Sequence, residues 1–292
     1  MLVSLKEVLD FAEKKGSAIG AFNVCNLESA EAVIGAAEET GSPVILNYAE
    51  VHSPYMTMDL AAPVMLYYAK KTSVPVVVHL DHGASFESCA RAIRLGFTSV
   101  MIDASALSYE DNIRVTKEVV KLSHAVGVTV EAELGHILVS DTGVGDSPKK
   151  IETADTIDTA SAYTDPDLAR EFADETKVDA LAVAFGTTHG IYTVKPKLDL
   201  DRVTMIREKL PLPLVMHGGS GLSPEEFRTA IKNGIRKVNY YTYMTLAGGK
   251  AVKKALDKCS PDDNIFFHDI PVLAVEAMKE NVKEAIEVFS MR

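Results

Sequence analysis

The chain has 292 residues, 47% hydrophobic and 24% charged, with 41 acidic against 30 basic side chains and a formal net charge of −11. That length and apolar content suffice for one large core, and no low-complexity stretch or composition shift marks a linker, so residues 1–292 read as a single domain. The acidic balance argues against nucleic acid or an anionic membrane as partner, since both demand a basic face; any phosphate must be gripped locally.

The opening stretch MLVSLKEVLDFAEKKG places Leu5, Val8, Leu9 and Ala12 on one helical face that Gly16 ends, which is not the pattern of a signal peptide. Short apolar, β-branched runs then recur at 18–24, 43–49, 74–81, 98–103, 128–134, 178–185, 212–217 and 235–240. Helical patterns separate them. Asn26 caps one that Gly41 stops, and SYEDNIRVTKEVVKLSHAVG and SPEEFRTAIKNG repeat the grammar of a Ser cap, early acids and a terminal Gly. Strands buried on both faces and alternating with helices predict a parallel sheet, and eight such units predict an α/β fold of the (β/α)8 TIM-barrel type with extra N-terminal and C-terminal helices. The polar stretch at about 135–164 is longer than an ordinary connection and reads as a functional loop, while the tail from Ile270 reads as an amphipathic helix. Cys25, Cys89 and Cys259 form no C-x-x-C pair, so neither a disulfide framework nor a thiolate metal site is expected, and a reducing cytoplasm fits best. No apolar run is long enough to span a bilayer.

In such a barrel chemistry gathers at the carboxyl ends of the strands, and the polar residues of this chain fall there. Asn23 closes the first run, Glu50 and His52 follow the second, Asp81 and His82 the third, Asp103 the fourth, Glu133 the fifth, His189 the sixth, His217 the seventh and Asn239 the eighth. Any one of these alone is most simply a satisfied polar group. Together, His82, His189 and His217 on one rim suit three imidazoles converging on a metal with an open position, the pattern of catalytic zinc. The like charges of Asp81, Asp103 and Glu133 also call for a cation, and Asp81 can exchange a proton with a substrate oxygen. His79 shares the parity of Asp81 and reads as a hydrogen-bonded core residue; His124 and His268 read as solvated. MHGGSGLSPEE follows the seventh run and NYYT the eighth, where barrels hold phosphate on backbone N–H groups and hydroxyls; Gly218, Gly219, Ser220 and Thr242 fit that role. No strand end offers a lysine placed as a carbonyl nucleophile.

HLDHG, MIDAS, EAELG, AFGTTHGIY, LVMHGGSG and KVN occur in an order and spacing that resemble the class II, metal-dependent ketose-bisphosphate aldolases, fructose- and tagatose-bisphosphate aldolases among them. The resemblance runs from AFNVCNLE to EAMKENVKEAIEVF. It implies a zinc-dependent lyase (another divalent metal being admissible) that joins or splits dihydroxyacetone phosphate and an aldehyde, working as a homodimer or homotetramer on a sugar phosphate. It implies His82, His189 and His217 as zinc ligands, Asp103 and Glu133 as a secondary metal position or as holders of the first, and Asp81 as the proton-transfer residue. Asn23, Gly190, Gly218, Ser220, Asn239 and Thr242 would hold the ketose phosphate, with a monovalent cation, Na⁺ or K⁺, beneath it.

Departures from the family pattern fall on the aldehyde side. The acidic GGxED loop that supplies a base is replaced, leaving Asp141, Asp146 and Glu152 as candidates, and Lys149 and Lys150 have no assigned role. NYYTY puts Tyr241 where an acid often contacts substrate, and AEVH puts Glu50 and His52 where a small turn is usual, either facing substrate or pairing with each other. HGGSG carries Gly219 for the common alanine, a small change. A different aldehyde is the expectation; the alternatives are a zinc-dependent hydrolase and a non-catalytic sugar-phosphate or metal-binding barrel.

Overall fold

A computed structural model describes residues 1–135, 137–139, 162–192, 195–260 and 262–292. Its parallel strands are β1 (Ile19–Asn23), β2 (Val44–Ala49), β3 (Val76–Gly83), β4 (Ser99–Ile102), β5 (Thr129–Leu134), β6 (Ala180–Val183), β7 (Leu214–Met216) and β8 (Ile235–Tyr240), closed into a barrel in which β8 pairs with β1. Every residue of these strands is buried, which is why the sequence writes them as unbroken apolar runs rather than alternating ones. Helices α1 (Leu5–Lys15), α2 (Leu27–Thr40), α3 (Met58–Lys71), α4 (Phe86–Leu95), α5 (Tyr109–Ala125), α6 (Pro166–Thr176), α7 (Leu200–Lys209), α8 (Pro224–Asn233), α9 (Thr242–Leu256) and α10 (Asp269–Phe289) accompany them. The expected caps are present: Asn26 and Ser223 each accept an N–H of their own first turn, and Gly16 and Gly41 end their helices in the left-handed region.

Two apolar cores result. One lies between the strands and the surrounding helices, and α10 extends it by packing Phe289 edge-to-face against Phe227 at 5.0 Å and Tyr240 at 6.1 Å between ring centroids. The other fills the lower barrel, where Ile19, Ala21, Ile45, Val77, Met101, Ala180, Ala182 and Val215 meet Leu5, Val8, Leu9 and Ala12 of α1. The first helix therefore plugs the amino end of the barrel. Glu13 fastens it, reaching Arg207 at 2.7 Å and Arg236 at 2.9 Å. The chain just before α1 lies along β3, with Val76 donating to Met1 O and Val3 donating to Val76 O. No helix among the described residues is long and apolar enough to cross a membrane.

At the other end of β3 the ladder with β4 slips: Leu80 pairs with Val100, but the next pair is Gly83 with Ile102. One extra residue is inserted in β3, a β-bulge, and His82 within it takes a left-handed φ of 48°. Gly83 is required there, because a Cβ would sit 2.5 Å from Met101 O. Beyond β5, Thr164 donates to Leu134 O and accepts from Ala184 N, so the chain returns to the barrel rim after the long loop. Most of that loop, with Asp141, Asp146, Lys149, Lys150 and Glu152, lies outside the described residues.

Because Leu9 fills the barrel interior at 1% exposure, Leu9→Ala should lower stability by about 3 kcal/mol in urea unfolding. The same change at Leu60, 62% exposed on α3, should stay within about 0.5 kcal/mol. Equal effects at the two positions would mean that α1 is not a packed plug.

Candidate active site

Side chains on a strand alternate between faces, and the inward positions near the carboxyl ends of β1, β3 and β8 are Asn23, Asp81 and Asn239. They form one unit. Asn23 Nδ2 donates to Asp81 Oδ2 at 3.0 Å and Asn239 Nδ2 to Oδ1 at 2.9 Å, so both carboxylate oxygens are held. Burial alone would raise the Asp81 carboxyl, but nearby His82, His217 and Lys237 outweigh it and hold the group well below the usual carboxylate range.

Strict alternation would send His82 away from Asp81, to the helix side. The bulge and the left-handed φ of His82 turn its ring back to the rim, so two consecutive residues serve one site. There His82, His189 and His217 each offer a ring nitrogen within 4.8 Å of the others. Asp103 and Glu133 form a second such group with His82. Ser105 Oγ lies between these two carboxylates, 2.7 Å from Asp103 Oδ1 and 3.0 Å from Glu133 Oε1, and its single proton can serve one of them at a time.

The donor set fits a metal ion. His82 Nδ1 meets Asp103 Oδ2 at 3.0 Å, and His217 Nε2 meets Glu131 Oε1 at 2.8 Å. An ionised carboxylate only accepts, so those nitrogens carry the ring protons. The remaining nitrogens, His82 Nε2 and His217 Nδ1, then face each other at 2.9 Å, a spacing that needs one positive centre between them, a shared proton or, in its place, a metal ion. Burial pushes His82 down, yet Asp81, Asp103 and Glu133 reverse this and raise it to about 9. An environment that draws a proton so strongly to an imidazole draws a metal ion by the same field.

The phosphate-type turns sit beside this cluster. Gly218 has φ 65°, and a Cβ on it would stand 2.6 Å from Thr188 C and O, so the turn after β7 packs backbone against backbone on the segment carrying His189. Tyr192 ties the two, its hydroxyl donating to Gly218 O at 2.5 Å and accepting from Thr188 N at 3.3 Å. Ser220 Oγ accepts from Tyr241 N at 3.2 Å, joining that turn to the start of α9, where Thr242 is the first residue. Gly190 adjoins His189 with φ 93°. His189 itself lies in a two-residue strand paired in parallel with Leu138–Val139 above the barrel, an element too short to show in the sequence pattern.

Of the expected specificity residues, His52 and Tyr241 come together and Glu50 does not. The His52 and Tyr241 rings are 4.5 Å apart between centroids; burial lowers the imidazole, with Asp81 opposing it. The pairing of Glu50 with His52 that the sequence allowed is absent: Glu50 accepts from Ala84 N at 2.9 Å and Ser88 Oγ at 2.8 Å, bracing the loop between β3 and α4. His79 lies one inward position below Asp81, with Nδ1 2.8 Å from Ser99 Oγ. His124 meets Asp179 at 2.9 Å at the surface, and His268 is exposed.

The sequence reading passed over Glu131 and Lys237, which meet inside the barrel at 2.8 Å with no exposed surface. Their signal was parity: each stands two residues before a rim residue, Glu133 or Asn239, and so shares its inward face. Lys237 is the buried lysine that the strand ends alone did not reveal, and its Nζ is engaged by Glu131 in the layer beneath the histidines.

A family model described as "Fructose-bisphosphate aldolase class-II" matches residues 3–292. A fructose-bisphosphate aldolase of Staphylococcus aureus is 40% identical, the match covering 99% of this chain and 97% of the relative. The crystal structure of the YdjI aldolase from Escherichia coli K12 superposes with a TM-score of 0.84 at 37% identity, covering 99% and 97% of the two chains. A fructose-bisphosphate aldolase structure from Campylobacter jejuni, at 24% identity and a TM-score of 0.78, covers 99% and 95% and supports the fold. With matches running the length of the barrel, the chain belongs to the class II fructose-bisphosphate aldolase family.

Proposed function

We propose that this protein is a zinc-dependent aldolase that cleaves or forms a carbon–carbon bond between dihydroxyacetone phosphate, or a similar ketose-phosphate fragment, and an aldehyde. The observation that carries the reading is the three-histidine cluster beside an Asp81 whose two oxygens are each fixed by an asparagine amide. Family membership favours aldol chemistry over the hydrolytic alternative. His82, His189 and His217 would hold the metal, with Asp103 and Glu133 behind His82; three imidazoles suit zinc and admit other divalent ions. Bound there, zinc supplies a Lewis acid toward the ketose carbonyl and hydroxyl oxygens.

The protein's own groups do the rest. Asp81, kept ionised, accepts the hydroxyl proton at the bond being cleaved and returns it in the condensation direction. Asn23 Oδ1 and Asn239 Oδ1 are buried and have no donor among the described residues, so substrate hydroxyls can supply one while the amide ends keep Asp81 in place. Gly190, Gly218, Ser220 and Thr242 take the phosphate, using backbone N–H groups and hydroxyls with Na⁺ or K⁺ alongside. Asp141, Asp146 or Glu152 of the long loop supplies the base that deprotonates the ketose fragment. The aldehyde half meets His52 and Tyr241, a neutral aromatic pair, and differs from that of the common hexose bisphosphates. The exposed apolar side chains of Ile265, Phe266, Phe267, Val272 and Leu273 support a homodimer or homotetramer, working in the cytoplasm.

Chelation should abolish release of dihydroxyacetone phosphate from a panel of ketose 1-phosphates and 1,6-bisphosphates, and zinc should restore it. Asp81→Ala should lower kcat about 10³-fold with metal content unchanged; cleavage by demonstrably metal-free protein sinks the proposal. Gly218→Ala should raise KM for phosphorylated ketoses about tenfold, equivalent to roughly 1.4 kcal/mol of binding. Gly249→Ala, where an added Cβ meets nothing within 4 Å, should leave KM unchanged. In the condensation direction, His52→Ala and Tyr241→Phe should change the relative rates with different aldehydes; constant ratios would remove these residues from specificity.

A further inference from the structure

The proposed chemistry leaves an ion pair without a use. Lys237 Nζ and Glu131 Oε2 meet at 2.8 Å in the middle of the barrel, neither with any exposed surface. Such a pair is an expensive core filling, because well-packed apolar side chains of similar volume are often no less stable. The apolar option is the one taken beside it, where Met101 and Ala180, the register partners of Glu131, and Val215, that of Lys237, fill the same interior. Glu131 does more than face the lysine. Its other oxygen stands 2.8 Å from His217 Nε2, and His79 Nε2 lies 3.6 Å from Oε2.

We propose that the Lys237–Glu131 pair is a positioning unit that fixes His217 with its proton on Nε2 and its Nδ1 lone pair directed at the metal position. The inference rests on the three-histidine metal reading and adds the reason His217 can serve it. One carboxylate oxygen accepts the imidazole proton, and the other is held by the ammonium. Rotating the carboxylate to release His217 would break an ion pair in a low-dielectric interior. His82 is constrained likewise from the opposite side, its Nδ1 on Asp103, so its Nε2 and His217 Nδ1 are aimed at one shared position. Glu131 and Lys237 do not reach the rim where substrate would sit, which separates this role from catalysis.

The test compares full-length wild type with Glu131→Gln, Glu131→Asp and the double variant Glu131→Gln/Lys237→Met. Zinc affinity is read by competition with a chromophoric chelator, and the urea midpoint is read on zinc-free protein. Glu131→Gln, whose amide can donate as well as accept, should weaken zinc binding about 10–100-fold. The double variant carries no buried unpaired charge and should recover its urea midpoint while zinc binding stays about 10–100-fold weak. Recovery of both would overturn the proposal and make the pair a core filler. Size and charge are separated a second way, whether or not the double variant folds: Glu131→Asp keeps the carboxylate and should bind zinc more tightly than the isosteric Glu131→Gln, whereas the reverse order overturns positioning. His82→Ala guards the parent reading. If it leaves zinc affinity unchanged, the three-histidine site falls and this inference with it; if it weakens binding while Glu131→Gln does not, only the inference falls.

Discussion

The constraint on which the structure turns is the burial of negative charge. Asp81, Asp103, Glu131 and Glu133 converge on the upper barrel, three of them with no exposed surface, and each would be costly there without an answering group. Asp81 is answered by two amides, Asp103 and Glu133 by the His82 ring and the one hydroxyl proton of Ser105 between them, and Glu131 by Lys237 and the His217 ring. The histidines complete the balance. Their facing nitrogens lie among these carboxylates, so the charge that makes the core difficult to assemble also makes it a seat for a cation.

The backbone contributes through a local irregularity. A regular β3 would offer Asp81 or His82 to the site, not both. The bulge supplies the missing residue, at a cost of about 1–3 kcal/mol for a non-glycine side chain in a left-handed conformation. The surrounding structure holds this in place: Gly83 lies against the backbone of Met101, and the His82 ring is fastened to Asp103. Strain and chemistry thus share one residue, which places the least relaxed part of the strand at the centre of the site.

Much of this was legible in the sequence. The eight runs could be read because strands covered on both sides need no polar alternation, and the helix ends because Asn26, Ser223, Gly16 and Gly41 perform capping that few other residues do. The rim histidines were legible by their place after each run. What escaped has specific causes. Glu131 and Lys237 lie inside runs rather than at their ends, so position did not flag them, and only inward parity shared with Glu133 and Asn239 would have. The bonds of Glu50 were not legible, because a residue just past a strand can turn toward the site or toward the next loop, and the N–H of Ala84 and hydroxyl of Ser88 that it meets come from a distant part of the chain. The strand pair carrying His189 joins segments some fifty residues apart, a pairing that no local pattern encodes.

β3 is pinned at both ends, by Met1 and Val3 on Val76 at the bottom and by the bulge at the top. Between these anchors Val77, His79 and Asp81 point inward while Val78 and Leu80 face the helices, so the strand behaves as a ruler graduated in single residues. Losing or gaining one residue along it would exchange the two sets, burying Leu80 where Asp81 belongs and setting a carboxylate against the helix layer. Exchanging one apolar residue for another along such a strand is a local event, whereas changing its length by a single residue reassigns every side chain on it at once.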